Sequence, residues 1–202
     1  MRSVTLGVVT VVLALGLGAC SGDAPAAPEP SQSFGVAPTG DAVVIEPLES
    51  IDGATTETVN GVAIEVPEGF EAEVATLSSG GEQLVVKDPA EPRAAVIVTV
   101  SEQDAVSDES VDVAAQTSQT QLAASGAWSD LTLAPATWQG FPHGAATTGT
   151  LTLPDGAERD AILVTVRDED GTRVVSVSAE APAGELDASL AYEVLRTMRI
   201  DG

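Results

Sequence analysis

The chain carries one thiol and one imidazole, Cys20 and His143. A nucleophilic site needs a hydroxyl or thiol held beside a base, most often a histidine. Such partners meet in space, so a Ser–His–acid site around His143 stays open on spacing alone. No Gly-x-Ser-x-Gly elbow occurs. His143 sits in a Pro-His-Gly turn, which favours a solvated loop residue over a base. Zinc needs several His or Cys ligands, which one of each does not supply. Asp168-Glu169-Asp170-Gly171 begins like a calcium loop, but it lacks the later glycine and has Ala179 where the closing glutamate belongs. A hairpin turn explains those four residues with fewer assumptions. Paired carboxylates could act as acid and base, yet among 31 acids no pair stands out. No phosphate-binding or dinucleotide glycine pattern is present. The expectation is no catalytic residue, no metal and no cofactor.

The position of Cys20 says more than its thiol. Arg2 gives a minimal positive start, and Val4 to Ala19 is apolar and uncharged. That stretch is short for a membrane span and matches the hydrophobic core of a signal peptide. Small residues close it in Leu17-Gly18-Ala19-Cys20, which resembles the lipobox of bacterial lipoproteins. The resemblance implies a diacylglyceryl thioether on Cys20, cleavage just before it, and further acylation of the new N-terminus by chains such as palmitate. Two or more chains anchor stably where one does not. The competing reading is a secretory signal cut elsewhere, as after Ala26 in Ala24-Pro25-Ala26. Either way the mature chain is exported, and with one cysteine it forms no internal disulfide.

Lys and Arg number 8 against 31 Asp and Glu, for a net charge of −23. That balance excludes nucleic acid, whose phosphates need cations. It also excludes binding to anionic headgroups by charge. Hydrophobic residues make up 44% of the chain but aromatics only 3%, so Val, Ile, Leu and Ala must build the core.

The elements that would position any site follow from local pattern. Residues 1–19 read as signal and residues 20–54 as a lipidated, Pro/Ala/Ser-rich tether. Within the tether, Val43-Val44-Ile45 is a possible first ordered stretch before Pro47 and Gly53. Residues 55–202 read as one domain. Asn60-Gly61 joins Thr55–Val59 to Val62–Val66 as a hairpin. Leu84-Val85-Val86 follows a Gly80-Gly81 turn, and Ala94 to Val100 alternates as a strand. Ser107 caps a helix with Asp108 and Glu109 in its first turn. Val111, Ala114, Ala115, Ser118 and Leu122 recur at helical spacing, and Gly126 stops the helix. Asp155-Gly156 and Asp170-Gly171 join Ala145–Leu153, Glu158–Arg167 and Thr172–Ala179 into a meander. Leu186, Leu190, Val194, Leu195 and Met198 predict a closing helix from about Glu185 to Thr197 that covers the sheet.

Three segments fall at matching places in a known fold: Val62–Phe70 (Val-Ala-Ile-Glu-Val-Pro-Glu-Gly-Phe), Gln139–Ala145 (Gln-Gly-Phe-Pro-His-Gly-Ala) and Val194–Ile200. Together they resemble the Mog1/PsbP-like fold and, among exported members, the actinobacterial LpqN-type lipoproteins. The resemblance covers about Thr55 to Ile200. It implies an α+β domain whose central antiparallel sheet is flanked by helices on its faces. It carries over no catalytic motif, and it implies an accessory or binding role at membranes and cell envelopes. Phe70 stands where many relatives have Trp.

One cluster is a candidate ligand or partner patch. Trp128, Trp138, Phe141 and His143 hold much of the scarce aromatic content within a short window. Trp138, Phe141 and His143 either form an exposed loop surface or pack under the sheet edge, and the accessibility of the rings decides between the two. The expected function is a non-enzymatic lipoprotein on the outer face of the cytoplasmic membrane. It would bind an envelope protein, a lipid or a small ligand. The alternatives are an envelope hydrolase built around His143 and a cation-binding module.

Overall fold

The computed structural model describes residue 38 and residues 40–77, 81–91 and 93–200. The signal, Cys20 and most of the expected tether lie outside the described residues. In chain order the strands are β1 (Val43–Ile45), β2 (Thr55–Val59), β3 (Val62–Val66), β4 (Glu71–Thr76), β5 (Glu82–Lys87) and β6 (Ala94–Glu102). Helix α1 (Asp108–Ala124) follows, then β7 (Trp128–Trp138), β8 (His143–Thr152), β9 (Glu158–Arg167) and β10 (Arg173–Pro182). A 3₁₀ turn (Leu186–Ala188), α2 (Leu190–Arg196) and β11 (Arg199–Ile200) close the chain. Eight strands form one sheet in the order β1-β7-β8-β9-β10-β6-β5-β4, and β11-β3-β2 form a smaller one.

Turn chemistry sets much of this. Asn60 and Gly61 take φ of 46° and 74°, and Gly156 and Gly171 take 86° and 64°, the left-handed backbone that tight hairpins need. The β8–β9 and β9–β10 hairpins follow from those turns in unbroken register. Register then sorts the side chains. Val98, Val177 and Val164 lie in one row across β6, β10 and β9, with Val100, Val175 and Val166 in the next. All six are buried on the inner face, which packs against Val62, Ile64 and Val66 of β3 and Ala191, Val194 and Leu195 of α2. Helix α1 lies on the outer face against β7, β8 and β9. Each face therefore carries one helix, and the small sheet completes the inner layer.

Ser107 caps α1 as its sequence predicts, its hydroxyl accepting from the Ser110 N–H at 3.1 Å. The closing helix differs from expectation. Ser189 is extended (φ −84°, ψ 147°) and its hydroxyl accepts from the Tyr192 N–H. That cap splits the expected span into a 3₁₀ turn and a seven-residue helix.

The tether boundary at residue 54 is corrected by β1. Val43–Ile45 pairs in parallel with Ala136–Trp138, and the Leu48 N–H donates to the Arg196 carbonyl at 3.0 Å. Three β-branched residues are enough to form an edge strand where a long neighbour offers a free edge. The neighbour, β7, is itself an addition. Its pairing with β8 is interrupted between Ser129 and Thr132, with Asp130 at φ 53°, which breaks the alternation a strand pattern needs. Strand β4 is missing from the sequence reading too, because the alternation in Glu71-Ala72-Glu73-Val74 is short and its apolar side holds only Ala72 and Val74.

Candidate functional surfaces

The aromatic cluster does not converge on one surface. Trp128 begins β7 and Trp138 ends it, ten residues and about 33 Å apart at strand rise. Trp138 pairs with Ile45, points to the inner face and is 3% exposed. The chain reverses through Gly140 (φ 91°), which lets Phe141 bridge back to Trp138. Their rings sit 5.0 Å apart, tilted by 53°, and Phe141 packs half-buried against the core. The pair plugs the β7–β8 turn. Trp138 Nε1 is buried without a hydrogen-bond partner among the described residues, so the ring is held for its apolar area.

His143 faces the other way. It opens β8 opposite Arg167 of β9, on the outer face beneath the first turns of α1. Its Nε2 lies 2.8 Å from Asp112 Oδ1, and its Nδ1 lies 3.9 Å from Asp108 Oδ2. A carboxylate only accepts, so Nε2 carries the hydrogen of the short bond. Arg167 Nε donates to Asp108 Oδ1 at 2.6 Å. That guanidinium, joined by the nearby His143, holds the Asp108 carboxyl below the usual carboxylate range against the pull of desolvation. Asp112 is 8% exposed, and its hydrogen-bond partner His143 comes from the sheet. Two acids on one helix face thus meet two basic groups on adjacent strands. Sequence marked Asp108 only as a first-turn acid and Asp112 not at all, although acids four apart on a predicted helix share a face.

This arrangement fixes a helix to a sheet. A catalytic triad needs one imidazole nitrogen turned to an acid and the other to a nucleophile. Here both ring nitrogens face carboxylates. Among the described residues, shallow clefts of about 370 and 340 Å³ are lined by Glu102, Asp104 and Arg173 and by Asp130, Asp160 and Asp187 respectively, and His143 lines neither.

Asp168, offered above as a possible calcium-loop acid, is 3% exposed and spends its oxygens on its own turn. Oδ1 accepts from the Thr172 and Arg173 N–H groups at 2.8 and 3.0 Å, and Oδ2 from the Thr172 hydroxyl at 2.9 Å. The residue is a hairpin organiser. Among the described residues no group of three or more His, Cys, Asp or Glu is placed to hold a metal ion.

The outer face beyond α1 is different in character. Val85, Ile97, Ser178 and Leu163 lie in one row across β5, β6, β10 and β9. Gln83, Thr99 and Ser176 form the next row. All seven are half-buried and none is charged, on a chain of net charge −23.

No family model and no curated protein matches the chain. Solved structures do. The solution structure of cyanobacterial PsbP (CyanoP) from Synechocystis sp. PCC 6803 is 14% identical, covers 75% of this chain and 94% of its own, and superposes with a TM-score of 0.51. The fold is PsbP-like. Two further solved structures match with lower TM-scores. LpqN, described as involved in cell envelope biogenesis of Mycobacterium tuberculosis, is 17% identical over 74% of this chain and 91% of its own, with a TM-score of 0.46. The Saccharomyces cerevisiae Ran-binding protein Mog1p is 16% identical over 73% and 95%, with a TM-score of 0.41. In this PsbP-like domain, no helix among the described residues is long and apolar enough to cross a membrane.

Proposed function

We propose that the chain is an exported lipoprotein, acylated on Cys20 and held on the outer face of the cytoplasmic membrane. Its PsbP-like domain binds a partner there and does no chemistry of its own. The use made of His143 carries the second half of this reading. The one imidazole is hydrogen-bonded to Asp112 at 2.8 Å and has Asp108 3.9 Å from its other nitrogen, so the obvious base of a hydrolase is engaged in holding α1. Support for the first half comes from Leu17-Gly18-Ala19-Cys20 at the end of an apolar segment. An uncharged patch on a strongly acidic domain suits a binding surface better than a reaction site.

Two variants separate binding from hydrolysis. Cys20→Ala should move the protein from the membrane fraction to the soluble fraction and reproduce the envelope phenotype of a deletion. His143→Gln keeps a donor for Asp112 but removes the base. It should leave that phenotype at wild type, in cells whose immunoblots show normal protein levels. A null phenotype for His143→Gln at normal abundance would favour the hydrolase and defeat the binding reading.

A further inference from the structure

Strand β4 closes one end of the main sheet, and among the described residues its one strand neighbour is β5. The other edges offer less. β1 has three residues, β11 has two, and β2 ends in the buried Val59. β4 has six residues, exposed at every position except Ala75. Its free side presents a row of backbone N–H and C=O groups, a template for another strand. Val74, 47% exposed, adds one of the few large apolar side chains left in solvent.

The side chains of β4 alternate in chemistry as well as direction. Ala72 and Val74 share a side with buried Val86 and Leu84, their register partners on the inner face. Glu71 and Glu73 point to the outer face, opposite Lys87 and Val85. Glu73 has a cation in Lys87 at 3.6 Å, but the two side chains are 72% and 45% exposed, so that pair is weak and exchangeable.

We propose that β4 is the docking edge of the binding module. It takes an extended segment of a partner protein with Lys or Arg at alternate positions and small apolar residues between them. The proposal rests on the non-catalytic binding role argued above and names the surface and the partner's chemistry. Charges on an edge strand ordinarily keep it from pairing. Here they act as a filter on sign. A second copy paired about Glu73 sets two carboxylates opposite each other, which is unfavourable. A cationic strand sets ammonium groups opposite Glu71 and Glu73, and its apolar residues fall beside Ala72 and Val74. The net charge of −23 steers basic segments toward the domain and raises their on-rate.

The test uses the full-length lipoprotein in detergent micelles and three octapeptides: alternating Lys–Val, alternating Glu–Val and alternating Lys–Pro. Amide hydrogen exchange is the readout. Lys–Val should slow exchange of the β4 amides by about tenfold at saturation, while Glu–Val should not. Lys–Pro carries the same charge without the alternate N–H donors of a strand, and should not protect β4 either. In Glu71→Lys, Glu73→Lys the preference should switch to Glu–Val. Equal protection by Lys–Pro, or Lys–Val protection confined to other elements, overturns the β4 assignment. Either result leaves the binding role to stand or fall on the Cys20 and His143 variants. No protection of β4 by Lys–Val also overturns it.

Discussion

Asp168→Ala is expected to cost the domain about 3 kcal/mol, because three hydrogen bonds to a charged acceptor are lost together. For a domain of this size the melting temperature should fall by roughly 10 °C. The Thr172 and Arg173 N–H groups and the Thr172 hydroxyl would lose their acceptor inside a turn where Asp168 is 3% exposed. Asp168→Asn keeps one acceptor oxygen and should lose less. Acid should weaken the same turn. Burial alone raises the carboxyl's pKa, but the N–H groups of Arg173 and Thr172, the Thr172 hydroxyl and the Arg173 charge outweigh it. They hold Asp168 below the usual carboxylate range. The unfolded carboxyl therefore takes up a proton before the folded one. Its contribution is complete above the ordinary carboxylate range and is lost as pH falls through the lowered folded value. Urea unfolding at stepped pH should show a shallower acid limb in Asp168→Asn than in the parent. A parent-like stability for Asp168→Ala, within about 0.5 kcal/mol, would contradict the hairpin role.

Leu195→Ala should be comparably damaging, at about 3 kcal/mol. Leu195 is fully buried in the main core and is the largest of the buried side chains that seat the short α2 there. Ala191, Val194 and Leu195 are the buried residues of that seven-residue helix. By contrast, Leu190 on the same helix is 46% exposed, so Leu190→Ala should cost under about 1 kcal/mol. Chemical denaturation of the two variants side by side tests the seating of α2. Equal losses would mean that the helix is rotated from the orientation described.

The difference between these two leucines was only partly legible in sequence. Leu190 and Leu195 both fit a helical stripe, and the stripe predicted the helix. The Ser189 cap, which shortens α2 and leaves Leu190 at the first turn, looks like an ordinary polar residue until its hydroxyl is seen accepting from Tyr192. The Gly-bearing hairpins were readable because left-handed backbone selects Asn, Asp and Gly. Register follows from such turns. Counting back from Thr152 opposite Glu158 lands His143 on Arg167. Strand β1 showed only as the ordered stretch Val43-Val44-Ile45, and β4 and β7 were hidden, each for its own reason. β1 is too short to show a period, β4 has only Ala72 and Val74 on its apolar side, and β7 is broken by its bulge.

The three residues of the candidate patch do not share one face. Trp138, Phe141 and His143 are close in sequence, but the β7–β8 turn sends Trp138 to the inner face and His143 to the outer. Closeness along a chain says little about facing when a turn lies between. The acidic partners of His143 lay on a helix that sequence had placed correctly. What sequence lacked was the packing of α1 over β8, a long-range contact that no local pattern encodes.

The proposed anchor ties this domain to a membrane through one atom, the sulfur of Cys20. Mass spectrometry of the mature N-terminus, on protein extracted from the membrane fraction, tests that tie most directly. The prediction is a chain beginning at Cys20 with a diacylglyceryl group on its thiol. An unmodified N-terminus beyond residue 20, such as one produced by cleavage after Ala26, would contradict it.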